Sequence, residues 1–288
     1  MADRTTHAHL LIATAQRLAE ECGAVAIVAA LSALPSGVRL PASTRLLIRS
    51  ETERAQAIDQ GHDEQSLMEI PEATLDRLGQ VRLAAVVGLS MGHFDLGQTI
   101  LCLTGPAGST IDTLVIMSFG QEFELFDAAV HDQMLEHTEQ AVFFRLLSLA
   151  FNIGHFGREG RPMGTVFVLG DNEAVSQLCE QMVLNPFKGY PEQDRNVLDD
   201  RIVETVKEFS AIDGAFVIQS GGVIEAAGAR LQAADDVGLP AGLGARHAAA
   251  AGITAVTKAI AISVSESDGS VRVWRAGRMV AQFDSSRR

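Results

Sequence analysis

The chain has no apolar run long enough to cross a membrane. An Arg, Gly or Asp interrupts every hydrophobic stretch before it reaches the ~20 residues that a transmembrane helix needs. Residues 1–7 also lack the long apolar core and the small-residue cleavage site of a secretory signal peptide. These absences predict a cytoplasmic protein without a membrane partner.

Cysteine is scarce, and its three residues, Cys22, Cys102 and Cys179, lie far apart. They form no C-x-x-C pair, so neither a zinc site nor a disulfide framework is expected. We expect buried or incidental thiols in a reducing compartment.

Positive charge is also in short supply. Lys and Arg number 23 against 36 Asp and Glu, which gives a formal net charge of −13. A nucleic-acid surface needs clustered Lys and Arg, so no nucleic-acid partner is expected. A phosphorylated ligand would be repelled by the overall field, and it would have to meet local positive groups and divalent metal.

The 288 residues are 47% apolar and 20% charged, which is typical of a globular protein with room for two domains. In the first half, continuous apolar strands alternate with helices and predict an α/β sheet covered on both faces. The predicted strands are 24–29, 46–48, 84–88, 99–105 and 113–117, and the predicted helices are 10–22 and 51–60. The loop 104–110 is either a phosphate-binding loop or a plain turn; we favour the turn, because the loop lacks the lysine of a P-loop.

A polar passage at 121–139 separates the two halves. It is either a metal-binding cluster or a solvated helix face at a domain boundary, and we favour the helix face. The possible ligands are His131, Asp132, Glu136, His137 and Glu139. An apolar stripe over 140–151 then predicts the first core helix of a second domain, followed by a strand at 165–169 and a helix over 196–209.

The stretch from 212 to 266 carries the chemistry. Asp213 and Gly214 stand at the entrance of an apolar strand, and a Ser-Gly-Gly turn of hairpin type follows at 220–222. Arg246 and His247 come just before a run of good helix formers. An arginine, an imidazole and free backbone N–H groups at a helix N-terminus form a ready phosphate site. With a second acid later in the stretch, this arrangement suggests metal-assisted nucleotide chemistry.

Five short motifs, in this order, resemble the catalytic domain of diadenylate cyclases, which join two ATP molecules into cyclic di-AMP. They are Gly-Thr-Val-Phe-Val-Leu-Gly-Asp at 164–171, Asn-Pro-Phe at 185–187, Asp-Gly-Ala at 213–215, Gly-Ala-Arg-His-Ala at 244–248 and Val-Ser-Glu at 264–266. The resemblance covers about 141–280. It implies a catalytic α/β domain at 131–288 with a central mixed sheet flanked by helices. Arg158, Glu159 and Arg161 match the basic loop of the family, and either phosphate binding or structural salt bridging would explain them.

The first half resembles, more loosely, the C-terminal domain of pyruvate kinases. Residues 22–28 and 102–105 carry this resemblance. It implies an N-terminal α/β domain at 1–130 with a mainly parallel sheet, and the pairing with a cyclase domain is similar to the archaeal-type arrangement.

The cyclase resemblance further implies that each protomer binds one ATP. Two protomers of a homo-oligomer would face each other, so that each ribose hydroxyl attacks the α-phosphate of the other nucleotide. The expected cofactor is a divalent metal, Mn²⁺ or Mg²⁺. The expected catalytic residues are Asp213, Arg246 and His247; the expected ATP-binding residues are Gly214, Ala215, Gly244, Ala245, Arg246, His247 and Ser265; the expected metal ligands are Asp213, Glu266 and, as an alternative, His247.

Two positions depart from the family pattern. Ala245 replaces a threonine and Ala248 replaces an arginine, so one hydroxyl and one cation that could meet the triphosphate are missing. We expect altered phosphate handling rather than loss of activity. The alternative is a non-catalytic sensor that binds ATP or cyclic di-AMP without turnover. The retained Asp213 and Glu266 argue against a sensor, since a pure binder need not keep metal carboxylates.

Overall fold

The structure is a computed structural model that describes residues 4–35, 38, 40–41, 43–71, 73, 75–95, 97–106, 108–119, 140–157, 161–232 and 244–284. The chain divides into two compact units, Met1–Phe126 and Asp127–Arg288. Within the described ranges, no helix is long and apolar enough to cross a membrane. The polar passage at 121–139, with its possible metal ligands, and the loop residues Arg158 and Glu159 lie outside the described residues.

The first unit is built on a five-stranded, mainly parallel sheet, as predicted. Its strands are β1 (Ala26–Ala30), β2 (Thr44–Ile48), β3 (Leu67–Glu69), β4 (Thr99–Thr104) and β5 (Thr113–Ser118), and its helices are α1 (Arg4–Cys22), α2 (Glu51–Asp59) and α3 (Arg77–Ser90). The strand order is β3-β2-β1-β4-β5. All neighbouring strands are parallel except β4 and β5. Ile12 and Ala15 of α1 pack against Ile27 and Leu101 of the sheet.

The predicted strand at 84–88 is wrong, because these residues lie in the middle of α3. The carboxylate of Asp76 caps this helix by accepting a hydrogen bond of 2.6 Å from the N–H of Gly79. Residues 83–89 are buried without interruption. A helix that is buried all round has the same continuous apolar sequence as a buried strand, so periodicity does not distinguish the two.

The loop that follows β4 is tied to α3 by one glutamine. The Thr104 hydroxyl donates to Oε1 of Gln80 at 2.9 Å, and Nε2 of Gln80 donates to the carbonyl of Gly105 at 2.9 Å. The first bond occupies the Thr104 hydroxyl, a donor that a phosphate-binding loop would offer to a ligand, and the second satisfies the Gly105 carbonyl, an acceptor that would not bind phosphate. They agree with the turn interpretation of this loop, of which Ala107 lies outside the described residues.

The second unit contains a seven-stranded mixed sheet flanked by helices, which confirms the predicted fold class. Its strands are β6 (Thr165–Leu169), β7 (Cys179–Gln181), β8 (Ala215–Ile218), β9 (Ile224–Leu231), β10 (Ile260–Val264), β11 (Val271–Arg275) and β12 (Arg278–Phe283). Its helices are α4 (Gln140–His155), α5 (Asn172–Gln177), α6 (Ile202–Phe209) and α7 (Ala245–Val256). The strand order is β12-β11-β10-β6-β8-β9-β7, and only β6 and β8 are parallel neighbours.

Two long helices supply most of the cover for this sheet. The apolar stripe predicted for the first core helix lies on α4, where Val142, Leu146 and Ala150 are buried. On α7, Ala250 and Ile253 belong to a core cluster with strand residues of the same sheet. The two helices therefore bury their apolar faces against strands that are far apart in the sequence.

The predicted helix at 196–209 is only partly correct, since α6 begins at Ile202. The Asn196 side chain accepts a hydrogen bond of 2.9 Å from the N–H of Leu198, and Asp199 accepts one of 2.9 Å from the N–H of Arg201. Such bonds from Asn and Asp stabilise turns in competition with a helix. The apolar spacing of this segment therefore overstated the length of the helix.

Candidate functional site

Three of the sequence motifs meet at one edge of the second sheet. β6 and β8 run parallel and begin at this edge. β10 runs antiparallel to β6 and ends there, with Val264 opposite Thr165. Asp213 just before β8, Gly164 just before β6 and Glu266 just after β10 therefore come together, although they are up to 102 residues apart in the chain (266 − 164 = 102).

Arg246, at the start of α7, connects the two carboxylates. Its Nη1 donates to Oε2 of Glu266 at 2.9 Å, and its Nη2 lies 3.6 Å from Oδ1 of Asp213. The Asp213 and Glu266 side chains are 76% and 66% exposed, whereas the Arg246 side chain is 33% exposed. Exposed ion pairs add little to stability. The arrangement therefore places one cation and two acids where a ligand can reach them.

Gly164 leaves the space that this guanidinium occupies. A Cβ atom at residue 164 would lie 2.6 Å from Nη1 of Arg246 and 3.1 Å from Cβ of Glu266. Any side chain here would therefore push Arg246 away from its position between the two acids. The glycine that opens the first motif is thus required by the positions of Arg246 in the fourth motif and Glu266 in the fifth.

The carboxylate oxygens at this edge of the sheet are suitable ligands for a hard divalent cation. Mg²⁺ is commonly held by one or two carboxylates together with substrate phosphates, rather than by a complete cage of protein ligands. Asp213 and Glu266 supply two such carboxylates on either side of Arg246. Over the part of the chain that the structure describes, no group of three His, Cys, Asp or Glu residues could hold a metal. The residues present fit a metal that arrives with a phosphorylated ligand.

The N-terminus of α7 opens beside Arg246. Gly244 is the N-cap residue, with no side-chain cap, and the first turn contains no acidic residue. The partial positive charge of a helix N-terminus attracts phosphate and other anions. Ala245 and Ala248 are exposed on this first turn, so neither crowds the approach of a ligand.

His247 has a different environment from its neighbour Arg246. It is 6% exposed, and its Nε2 lies 2.6 Å from Nη1 of Arg272 on β11. Its Nδ1 is buried and has no hydrogen-bond partner among the described residues. Burial, helped by the charges of Arg272 and Arg246 and opposed by that of Asp268, lowers the pKa of His247 to about 4. The imidazole is therefore neutral near pH 7.

A tight turn between β10 and β11 fixes the position of Glu266. The Ser265 N–H donates to the carbonyl of Ser270, and the Gly269 N–H donates to the carbonyl of Ser265, both at 2.9 Å. The Asp268 carboxylate accepts hydrogen bonds of 2.9 and 2.7 Å from the N–H and hydroxyl of Ser270. Partial burial opposes the effect, but hydrogen bonds from Ser265 and Ser270 and the charge of Arg272 lower the pKa of Asp268 to about 2. The carboxylate therefore stays ionised.

These residues surround one pocket of about 520 Å³, within the size range of small-molecule sites. The lining contains Asp213, Gly244, Ala245, Arg246, His247, Val264, Ser265, Glu266, Ser267, Asp268 and Arg272. Seven of the predicted site residues are in this list. The sequence interpretation missed Asp268 and Arg272; the only signal for them was their position shortly after the Val-Ser-Glu motif.

The remaining two predicted residues, Gly214 and Ala215, do not line the pocket. Gly214 has φ +106°, and a Cβ atom there would lie 2.6 Å from the carbonyl carbon of Gly228. Ala215 is 2% exposed in β8. The structure thus gives both residues a clear role in packing the start of β8, directly after Asp213.

The Asn-Pro-Phe motif at 185–187 also lies outside this pocket. Nδ2 of Asn185 donates to the carbonyl of Glu225 at 2.7 Å, and its Oδ1 accepts from the N–H of Phe187 at 3.1 Å. The Phe187 ring packs against Phe209 and Phe216. These contacts make the segment a packed turn.

Comparison with known proteins gives the geometry its family context. Residues 152–279 match the DAC family model, described as DisA bacterial checkpoint controller nucleotide-binding. A protein named diadenylate cyclase from Methanocaldococcus jannaschii is 37% identical over 174 residues, which are 60% of this chain and 55% of that protein. A protein of the same name from Haloferax volcanii is 32% identical over 223 residues, which are 76% of this chain and 80% of that protein.

The match thus spans about half the length of the Methanocaldococcus protein and four fifths of the Haloferax protein. A solved structure of DacA from Staphylococcus aureus aligns with 51% of this chain and 91% of that chain, at 23% identity and a TM-score of 0.36, which is too low to support an argument about fold. The sequence match to the Haloferax protein is sufficient by itself, and the chain belongs to the diadenylate cyclase family of enzymes.

Proposed function

We propose that this protein condenses two ATP molecules into cyclic di-AMP and two pyrophosphates. The observation that carries the proposal is the position of Arg246, which pairs with both Asp213 and Glu266 at the N-terminus of α7. A triphosphate on a chain of net charge −13 needs local cations and metal to offset the repulsion. This pocket offers a guanidinium, a helix N-terminus and two carboxylates for a metal.

Phosphoryl transfer depends mostly on positioning and charge stabilisation, so few reactive groups are required. In this proposal Arg246 binds phosphate oxygens, and the N-terminus of α7 adds its partial positive charge. Asp213 and Glu266 would hold Mn²⁺ or Mg²⁺, which supplies neutralisation of the charge that develops on the phosphates. Ser265 is a further residue proposed to contact phosphate.

The reaction needs two nucleotides in opposite orientations. A ribose hydroxyl oxygen of one ATP bonds to the α-phosphorus of the other, the bond from that phosphorus to pyrophosphate breaks, and the hydroxyl proton passes to Asp213 or water. A second, identical step closes the ring. The chain has one Asp-Gly-Ala and one Gly-x-Arg-His motif, so it supplies one half of this arrangement. We therefore assign the reaction to two protomers of a homo-oligomer that face each other across a two-fold axis.

The same proposal divides the chain into a catalytic domain at 131–288 and an N-terminal domain of the pyruvate kinase C-terminal type at 1–130. We assign the first domain to control or assembly rather than to chemistry. The free thiols of Cys22, Cys102 and Cys179 are in keeping with a reducing, cytoplasmic location.

One observation favours a competing function, that of a nucleotide sensor without turnover. Ala245 lines the pocket at the position where the family has a threonine, so a possible phosphate ligand is absent. Restoring it with Ala245→Thr should tighten ATP binding by at most about 1.5–3 kcal/mol, the value of a hydrogen bond to a charged group. In a cyclase this change would modulate an activity that the natural chain already has. In a sensor, the natural chain would bind ATP and form no product.

The direct test is to incubate the purified chain with ATP and either Mn²⁺ or Mg²⁺, and to identify the products by mass. We expect cyclic di-AMP and pyrophosphate with metal and neither product when the metal is chelated. ATP binding without cyclic di-AMP under both metals would reject the cyclase proposal and support the sensor.

A further inference from the structure

Arg272 forms a buried pair with His247 that the family motifs do not contain. It is 9% exposed, and its Nη1 lies 2.6 Å from Nε2 of His247. A guanidinium carries only donors and keeps its proton at any ordinary pH. Nε2 must therefore accept the hydrogen bond with its lone pair. In a neutral imidazole, the proton is then on Nδ1.

The strand β12 holds the arginine in place. Nε of Arg272 donates to Oε1 of Gln282 at 3.0 Å, and the two residues are opposite each other in the β11–β12 ladder. Nε2 of Gln282 donates in turn to Asp284 at 2.7 Å. Trp274, two positions further along β11, places its ring 6.1 Å from that of His247. The guanidinium is thus oriented before any ligand binds.

We propose that Arg272 is a positioning residue that holds His247 with its proton on Nδ1, so that His247 meets the triphosphate as an N–H donor and does not bind metal through Nε2. This inference rests on the proposed function and deepens it at the same site. It decides between two roles that the motif alone left open for His247, phosphate binding and metal binding.

Two further observations support the donor role. Nδ1 of His247 is buried without a partner among the described residues, on a side chain that lines the pocket. A buried donor left without an acceptor is costly, and a phosphate oxygen would satisfy it. The guanidinium of Arg272, 2.6 Å from Nε2, also occupies that nitrogen and would repel a metal cation there.

The first measurement leaves Arg272 unchanged. In metal-free protein with ¹⁵N-labelled histidine, long-range ¹H–¹⁵N spectra distinguish the two tautomers of each neutral ring, and a His247→Gln sample assigns the signals. We expect His247 to carry its proton on Nδ1, and to keep it there when Mg²⁺ and a non-hydrolysable ATP analogue are added. A proton on Nε2 in the free protein would overturn the inference, and so would a shift of Nε2 that reports metal coordination.

The second measurement compares Arg272→Met, which removes the donor at similar length, with Arg272→Lys, which keeps a cationic donor. Arg272→Met should lose the single tautomer and weaken binding of the ATP analogue by roughly 10-fold or more, the value of a hydrogen bond to a charged group. Arg272→Lys should recover part of both. The matched control Arg278→Met, outside the pocket lining on β12, should change neither. Melting curves establish that each variant is folded.

The two proposals fail in different ways. If the natural chain forms no cyclic di-AMP, the tautomer and the affinity for the ATP analogue still test Arg272. If the natural chain is an active cyclase but folded Arg272→Met keeps its tautomer and its affinity, the inference about Arg272 is wrong and the cyclase assignment stands. A loss of affinity without any tautomer change would also overturn the positioning role.

Discussion

Each unit of this protein has an exposed arginine–carboxylate contact near strand ends, and the two contacts differ in the number of carboxylates that share the arginine. In the first unit, Nε and Nη2 of Arg77 donate to the two oxygens of Asp112 at 2.8 and 2.5 Å, so one cation meets one carboxylate. In the second unit, Arg246 is shared by Asp213 and Glu266. The shared arrangement leaves negative charge in excess beside a pocket, which suits a metal. Arg54 in the first unit is shared by three carboxylates, Glu51, Glu64 and Glu69, so sharing by itself does not identify a site. Arg246 differs in that it lines a pocket together with both of its acids.

Neutralising one acid in each unit should produce the largest difference between them. Asp213→Asn removes the charge of a carboxylate that we propose as a metal ligand, at nearly constant volume, so we expect cyclase turnover to fall by about 100- to 1,000-fold, as when one electrostatic group is removed from an active site. Asp112→Asn breaks an ion pair that is also exposed and should leave turnover unchanged. Rates of cyclic di-AMP formation under saturating ATP check both, and natural rates from Asp213→Asn would reject its assigned role.

Acid should destabilise each unit through a histidine whose pKa is lowered in the folded state. Burial, together with the charge of Arg272, lowers the pKa of His247 from 6.5 to about 4, and burial with the charge of Arg45 lowers the pKa of His93. Between pH 6.5 and about 4, the unfolded chain takes up a proton at His247 that the folded chain does not. Folding stability should therefore fall as the pH drops through this window.

The loss of folding stability that is due to His247 should reach about 3 kcal/mol at the acid end of this pH window. Denaturant unfolding of the natural chain and of His247→Gln, without metal, gives this loss as a difference that grows as the pH falls. His93→Gln serves as the comparison in the first unit, where the pH-dependent change in stability should have the same sign. If the difference in unfolding free energy between the natural chain and His247→Gln is constant across the pH window, the assignment of His247 as a buried, neutral imidazole is wrong.

The same substitution of glycine should have opposite consequences in the two units. In Gly164→Ala the new Cβ meets the end of the Arg246 side chain, which can move, so we expect kcat/KM to fall by roughly 10-fold with little loss of stability. In Gly105→Ala the new Cβ would lie 2.4 Å from the backbone carbonyl oxygen of Thr110, so we expect about 1–3 kcal/mol of destabilisation and unchanged kinetics. Steady-state rates and thermal melting of both variants test the contrast.

Much of the site was visible in the sequence because its motifs are local. Asp213, Arg246 and Glu266 each stand at the end of a recognisable strand or helix, and the structure brings them together at one sheet edge. Arg272 was missed for a physical reason. Its partner His247 is 25 residues away, and only the packing of α7 near β11 and the register of β11 with β12 make them neighbours.

The fold errors have a similar origin. Residues 84–88 are uniformly apolar, so their sequence does not distinguish a buried helix from a buried strand. The helix predicted from 196 was shortened by side-chain bonds of Asn196 and Asp199, which apolar spacing does not report. In both cases the element was decided by contacts with neighbouring polar or tertiary groups rather than by the apolar pattern.

We propose that one chain supplies half of the reaction and that a second copy supplies the rest. The decisive experiment measures the specific activity of the purified protein over a wide range of protein concentration at saturating ATP, with the oligomeric state determined in the same solutions. We expect cyclic di-AMP formation per chain to follow the fraction of chains in dimers or larger assemblies, and to disappear in folded, ATP-binding monomers. Full cyclase activity from a demonstrated monomer would contradict it.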